Sequence, residues 1–258
     1  MKTPHATLPA SALATYVLSL ADDALVAAQR MGEWIASAPQ LEEDVALGNI
    51  ALDLLGQARS LLTYAGSLAD PPLTEDDLAY ARDERDFLNV HLVERPNGDF
   101  GVAVARLFVL STYHRELYAR LVRSTDETLA AIAAKAVKEV DYHRDHATMW
   151  VLRLGDGTDE SHARMQAALD QEWPFVAELF DGAQIDPSMF EQGVAVDPAS
   201  LRDAFDRRVA DVLSEATLTV PDVRPAVTGG RRGVHSEHMG YLLAEMQYLA
   251  RSHPGASW

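Results

Sequence analysis

Residues 127–153 read ETLAAIAAKAVKEVDYHRDHATMWVLR, and this stretch decides the fold class. It opens after the turn Ser124-Thr125-Asp126 and closes at Gly155-Asp156-Gly157. Along it Lys135, Glu139, Tyr142 or His143, and His146 recur at helical spacing, a polar row inside a long helix. Bundles of long helices hold cofactors in this way, with side chains that project inward from facing helices. The stretch therefore poses two questions: whether its neighbours are also long helices, and whether their polar rows complete a metal site.

Reading outward, the neighbours are helical. Residues 100–123 form the preceding helix, with Arg106, Tyr113, His114 and Glu116 on it, after the turn Pro96-Asn97-Gly98-Asp99. Thr74-Glu75-Asp76-Asp77 has capping chemistry and predicts a shorter helical region that reaches Glu94. Before it, a helix begins in the acidic turn Glu42-Glu43-Asp44, where negative charge suits the helix dipole, and runs to about residue 68 before Asp70-Pro71-Pro72. Its polar row is Asn49, Asp53, Gln57 and Tyr64. The first helix spans 11–37, with Leu13, Val17, Leu20, Leu25, Ala28 and Ile35 at steps of three and four, Asp22, Gln29, Arg30 and Glu33 among them, and Pro39 as its stop. Downstream, 158–180 predicts a fifth helix kinked at Pro174, 199–217 a sixth and 237–252 a last one. No alternating β-branched run reads as a strand. The expectation is an all-α fold: a four-helix bundle with additional helices at the C-terminal side, residues 11–258 forming a single domain and 1–10 a flexible extension.

Composition sets the class of partner. With 39 acidic against 22 basic residues, the net charge of −17 opposes binding to a phosphate backbone, so nucleic acid is not expected. No stretch approaches the ~18 uninterrupted apolar residues of a membrane span. The N-terminal MKTPHATLPASALATYVLSLADD meets paired aspartates and continues as an amphipathic helix where an export signal would end at a cleavage site; together these favour the cytoplasm. The chain has no cysteine, which removes disulfides and thiolate metal ligands.

A di-iron carboxylate site needs one Glu from each of two helices and a Glu-x-x-His pair from each of the other two. The pair is missing. Glu139 has Tyr142 three residues on and His143 four; Glu33, Glu116 and Glu237 are followed at that spacing by Ala36, Ala119 and Gly240. Asp159-x-x-His162 has the spacing but sits at a helix start. Lys135 and Lys138 put positive charge where a cation would sit. The residues thus favour a polar interior network of Asn49, Asp53, Gln57, Lys135, Glu139 and His143 over a metal site. The alternative is a self-sufficient di-metal oxidase or hydroxylase using Glu139 and His143 with Asp22, Asp53 or Glu116.

A set of motifs in fixed order then carries a resemblance. These are Gln29-Arg30-Met31-Gly32-Glu33-Trp34, Asp53-Leu54-Leu55-Gly56-Gln57-Ala58-Arg59, Arg82-Asp83-Glu84-Arg85, Glu94-Arg95-Pro96-Asn97-Gly98 and Arg153-Leu154-Gly155-Asp156-Gly157-Thr158. Near the end stand Thr228-Gly229-Gly230-Arg231-Arg232-Gly233, His235-Ser236-Glu237-His238 and Leu243-Ala244-Glu245-Met246-Gln247-Tyr248-Leu249. From about residue 12 onward the chain resembles the C subunits of the bacterial phenylacetyl-CoA epoxidases. The resemblance implies a ferritin-like fold and a structural role beside a homologous A subunit. That A subunit holds the di-iron centre, takes electrons from a flavin and iron–sulfur reductase, and inserts one oxygen atom into the ring of phenylacetyl-CoA. The resemblance implies no cofactor on this chain, the A subunit and other oxygenase subunits as partners, and a coenzyme A thioester near the interface. The implied substrate-binding residues are Asp86, Phe87, Leu88 and Asn89 with Pro187, Ser188 and Met189; against this stands a solvated, salt-bridged helix face for residues 82–89. Arg231 and Arg232, among flexible glycines, suit either a phosphate or the acidic surface of a partner. His235 and His238 flank Glu237 too closely in sequence to converge on a metal, and read as capping and hydrogen-bonding groups.

Overall fold

The structure, a computed structural model, describes residues 11–256, so the expected extension at 1–10 lies outside the described residues. In chain order the helices are α1 (Ala12–Gly32), α2 (Leu41–Ser67), α3 (Glu75–Tyr80), α4 (His91–Glu94), α5 (Phe100–Leu121), α6 (Glu127–Gly155), α7 (Asp159–Glu172), α8 (Pro187–Glu191), α9 (Arg202–Glu215) and α10 (Glu237–Ser252). Short 3-10 turns cover Glu84–Asp86, Trp173–Phe180, Pro198–Leu201 and Gly230–Arg232. No strand occurs among the described residues, and the all-α, ferritin-like fold class stands. No helix among them is long and apolar enough to cross a membrane.

The chain gathers into two compact units, 11–96 with 228–256, and 97–227. The first is built on the α1/α2 hairpin. Its core comes from Val17, Ala21, Leu25 and Ala28 of α1 against Leu47, Ile50, Leu54 and Leu61 of α2, all buried, and α3, α4 and α10 pack around it. Burying a leucine or isoleucine side chain stabilises by about 1.5–3 kcal/mol, so this seam accounts for the hairpin without strong helix propensity. The second is built on the α5/α6 hairpin, with α7 and α9 against both helices. Its seam includes Phe108, Leu117, Leu129, Val140 and Val151.

Helix ends follow local chemistry. Ser11, Asp99, Asp126 and Thr158 each accept a hydrogen bond from a first-turn amide, and Thr74 with Asp77 completes the expected capping box. Three expected boundaries move. α1 ends at Gly32, not 37, because Ala36 takes a left-handed backbone (φ 67°) and donates its amide to Asp44 Oδ1 at 2.6 Å. The fifth helix does not run kinked to 180: α-geometry stops at Glu172 and a 3-10 turn carries Pro174, which has no amide hydrogen for an α-helical bond. The helix expected from 74 to 94 stops at Tyr80, for a reason that lies in the site.

Candidate functional site

Asp22 and Asp23 are consecutive in α1, between the core residues Val17 and Leu25, and both are buried. Neighbours on a helix point about 100° apart, so the two carboxylates serve different partners. Asp22 receives both terminal nitrogens of Arg82, one on each carboxylate oxygen, in a forked pair whose side chains are wholly buried. The same guanidinium donates from Nε to the Leu78 carbonyl and from Nη1 to the Asp86 carbonyl at 2.9 Å, and lies 4.0 Å over the Phe87 ring. The backbone then runs extended past α1: Leu88 N donates to Asp22 Oδ2 at 2.8 Å and Val90 N to Asp23 Oδ1 at 2.9 Å. Those amides are available only because the chain has left the helix, which is why α3 is short.

The C-terminal loop closes over this segment. Arg231 donates to Asp23 Oδ2 at 2.6 Å and to the carbonyls of Ser19 and Leu88 at 2.9 Å. Glu94 accepts from Ser236 N at 2.6 Å, from Asn89 Nδ2 at 3.1 Å and from His235 Nδ1 at 2.7 Å. The other ring nitrogen of His235 lies 2.9 Å from the Phe87 carbonyl. Both ring nitrogens therefore face acceptors, and only the doubly protonated imidazolium can donate to both. His91 Nε2 lies 2.6 Å from the Val234 carbonyl, to which it donates. The approach is so close that side chains do not fit. A Cβ on Gly230 would stand 2.0 Å from the Asn89 carbonyl oxygen, and one on Gly233, at φ +69°, 2.1 Å from that of Arg85.

These contacts set the acidities. Burial, the largest influence, pushes the Asp23 carboxyl up, against the opposing pull of Arg231. Burial pushes Glu94 up too, but the bonds from His235 and Ser236 together outweigh it and hold the group below its ordinary value. Burial alone would lower His235; Glu94 and the Phe87 carbonyl reverse that and raise it.

Several sequence expectations change here. Phe87 and Asn89 are buried: Phe87 lies under Arg82, and Asn89 is tied to Glu94 and the Val90 carbonyl, so neither offers a side-chain surface to a ligand. Asp86 is half-buried and caps the Asp83 amide at 3.1 Å, and Leu88 is half-buried. In the second unit Pro187 is exposed at the start of α8, Ser188 follows it with its amide on Asp186 Oδ1, and Met189 is buried. Arg231 is not a free phosphate or docking group, since Asp23 holds it; Arg232 is exposed, with Nη2 donating to the Thr228 carbonyl at 3.1 Å.

The expected interior network also needs correction. Gln57 and His143 are buried and Asp53 and Glu139 half-buried, but Asn49 and Lys135 are exposed, as is Lys138. Asn49 lies about 100° around α2 from buried Ile50. The four-carbon stem of Lys135 carries its ammonium into water, 3.4 Å from Glu139 Oε1. The buried cation of the second unit is instead Arg106, whose Nε donates to Glu172 Oε2 at 3.0 Å.

The ferritin-like fold implies a di-iron centre in many of its members. The donors of this chain do not fit that group. Asp22 and Asp23 are held by guanidinium groups, Glu116 by Arg120 at 2.8 Å, and His162 points its Nδ1 at the Gly155 carbonyl. No group of three His, Asp or Glu side chains able to hold a metal gathers among the described residues. What the first unit presents is a set of buried acids each paired with a cationic group, which fixes loops to α1 and to α4. Sequence reasoning missed this clasp. Its available signal was Asp22-Asp23 inside an apolar helix face, two acids that burial obliges to find cations.

Beside the clasp, a groove of about 450 Å³ runs between α1 and α2, its lining including Leu25, Ala28, Gly32, Gly48, Leu52 and Leu55.

Residues 2–258 match the family described as Phenylacetic acid catabolic protein. The chain is 51% identical over 246 residues to the C subunit of the 1,2-phenylacetyl-CoA epoxidase of Escherichia coli (strain K12), covering 95% of this chain and 99% of the relative.

Proposed function

The chain belongs to the phenylacetic acid catabolic protein family, and on that premise we propose that it is the non-catalytic, cytoplasmic supporting subunit of a phenylacetyl-CoA epoxidase. In this reading it pairs with a homologous A subunit that holds the di-iron centre, while other subunits complete the oxygenase. It adds order and surface to that partner and performs no chemical step itself.

One observation on the chain carries the reading. Asp22, an acid that the self-sufficient di-metal reading would need, and its neighbour Asp23 are each engaged in a fixed ion pair, Asp22 with Arg82 and Asp23 with Arg231. Releasing Asp22 for a metal would leave the buried Arg82 guanidinium uncompensated, which costs several kcal/mol. Relatedness to the C subunit of an epoxidase supports the same conclusion. Toward the coenzyme A thioester, the first unit offers half-buried Asp86 and Leu88, and the second unit exposed Pro187 and half-buried Ser188; buried Phe87 and Asn89 act only by holding the backbone of their own segment.

The test is reconstitution. The chain and its A-type partner are expressed separately and together, then assayed with reductase for phenylacetyl-CoA epoxidation. Turnover should require both chains. Turnover by this chain and reductase alone, with no A subunit, would refute the assignment.

A further inference from the structure

α2 carries an apolar stripe that faces away from its own core. Leu41, Val45, Leu52 and Leu55 are 74%, 57%, 65% and 44% exposed. Gly48 fills the step between Val45 and Leu52, with open space where a Cβ would be. At 100° per residue these five positions fall within an arc of about 80°, the narrow seam along which one helix packs on another. The opposite face of α2 already supplies the hairpin core, so the outer stripe has no packing role in its unit. Ile35 in the α1–α2 connection, 59% exposed, extends it. On one side the stripe borders the groove whose floor is Ala28, Gly32, Gly48 and Ala51, small residues that let a second backbone come close. A contiguous apolar surface of this kind marks an interface.

Charge selects the occupant. Glu42 and half-buried Asp53 flank the stripe on one side and Asp44 on the groove side, where Glu33 is already held by Arg30 at 2.8 Å. Arg59, the cation of α2, is held by Glu75 at 2.6 Å. A second copy docking face to face would set acid against acid, on a chain of net charge −17. A helix of a different chain, with an apolar ridge at three- and four-residue steps and Lys or Arg on its shoulders, fits both the stripe and its rim.

We propose that the outer face of α2, with the groove beside it, is the docking surface for such a basic-shouldered amphipathic helix of the catalytic homologue. This rests on the supporting role proposed above.

The experiment is calorimetric titration of the purified A-type partner with four forms of the full chain: wild type, Leu52→Glu/Leu55→Glu, Glu42→Lys, and Met149→Glu on α6 as an exposed control. Because all four sites are solvent-facing, circular dichroism and melting temperature should match wild type and certify the fold. Wild type and Met149→Glu should bind alike. Leu52→Glu/Leu55→Glu should weaken binding by roughly 100-fold or more, as loss of a central apolar anchor does. Glu42→Lys should weaken binding at low salt and lose that difference at high salt. Undiminished binding by Leu52→Glu/Leu55→Glu would overturn the interface alone, whereas no binding by the wild-type chain would overturn the supporting role with it. A homodimer of the chain that the double substitution dissolves would overturn the choice of occupant.

Discussion

Arg82→Met removes the cation that pairs with Asp22 while keeping the apolar stem against Phe87. Both charged groups of the pair are wholly buried, so the variant strands a carboxylate away from water. Breaking a buried pair from one side costs about 3–5 kcal/mol. Near 2–4 °C per kcal/mol for a chain of this size, the midpoint should fall by about 6–20 °C. Thermal and urea unfolding followed by circular dichroism measure this directly. The reverse single, Asp22→Leu, strands the guanidinium and should cost a similar amount. The double variant Arg82→Met/Asp22→Leu removes both charges and should be less destabilised than the sum of the singles by at least about 2 kcal/mol, since an apolar pair suits that site better than one orphaned ion. A loss below about 1 kcal/mol in Arg82→Met, or singles that simply add, would refute the claim that this pair anchors the clasp.

The Glu94–His235 pair predicts a pH window. His235 is raised in the folded state, so its contribution is complete below the ordinary histidine value of about 6.5 and is lost as pH rises through the folded value. Glu94 is lowered, so its contribution is complete above about 4.3 and is lost as pH falls through its folded value. Urea midpoints should therefore peak between those limits, and His235→Gln should flatten the alkaline decline; an unchanged decline would contradict the pairing. Gly233→Ala should cost at least about 1–3 kcal/mol from its left-handed backbone and should lift the loop off Arg85. Limited trypsin digestion, cutting at Arg231 and Arg232, should speed up, and equal digestion rates would count against the close approach. Thr74→Ala should destabilise by about 1 kcal/mol in urea titrations through loss of the α3 cap, and no change would mean that water replaces it.

Much of the fold was legible because the long helices carry their own punctuation. Asp99 and Asp126 lie in the turns read from the sequence and cap the helices that follow, Thr158 caps the helix read from 158, and α10 runs over Glu237–Ser252 as read. What failed to read through was tertiary. The segment after Tyr80 has helical composition, yet its backbone unwinds so that the amides of Leu88 and Val90 can reach two aspartates more than sixty residues earlier. Nothing local reports that exchange. The same holds for Arg231, which has the sequence setting of a flexible-loop arginine and is held by a carboxylate 208 residues earlier. Spacing on helix α6 did reveal that Glu139 and His143 miss the ligand rule. It did not tell Tyr142 from His143, and the structure exposes the tyrosine and buries the histidine. Lys135 misled for a physical reason: a helical row fixes where a Cβ points, while a lysine stem can carry its charge back to water.

The central claim is that the buried acids Asp22, Asp23 and Glu94 are committed to ion pairs and that the iron belongs to a partner. Iron per polypeptide, measured by plasma emission on the chain purified alone and on the co-expressed pair after the two polypeptides are separated, tests it most directly. The account predicts iron with the partner and only trace metal on this chain in either preparation. About two irons per copy of this chain, retained after gel filtration with a chelator, would contradict it.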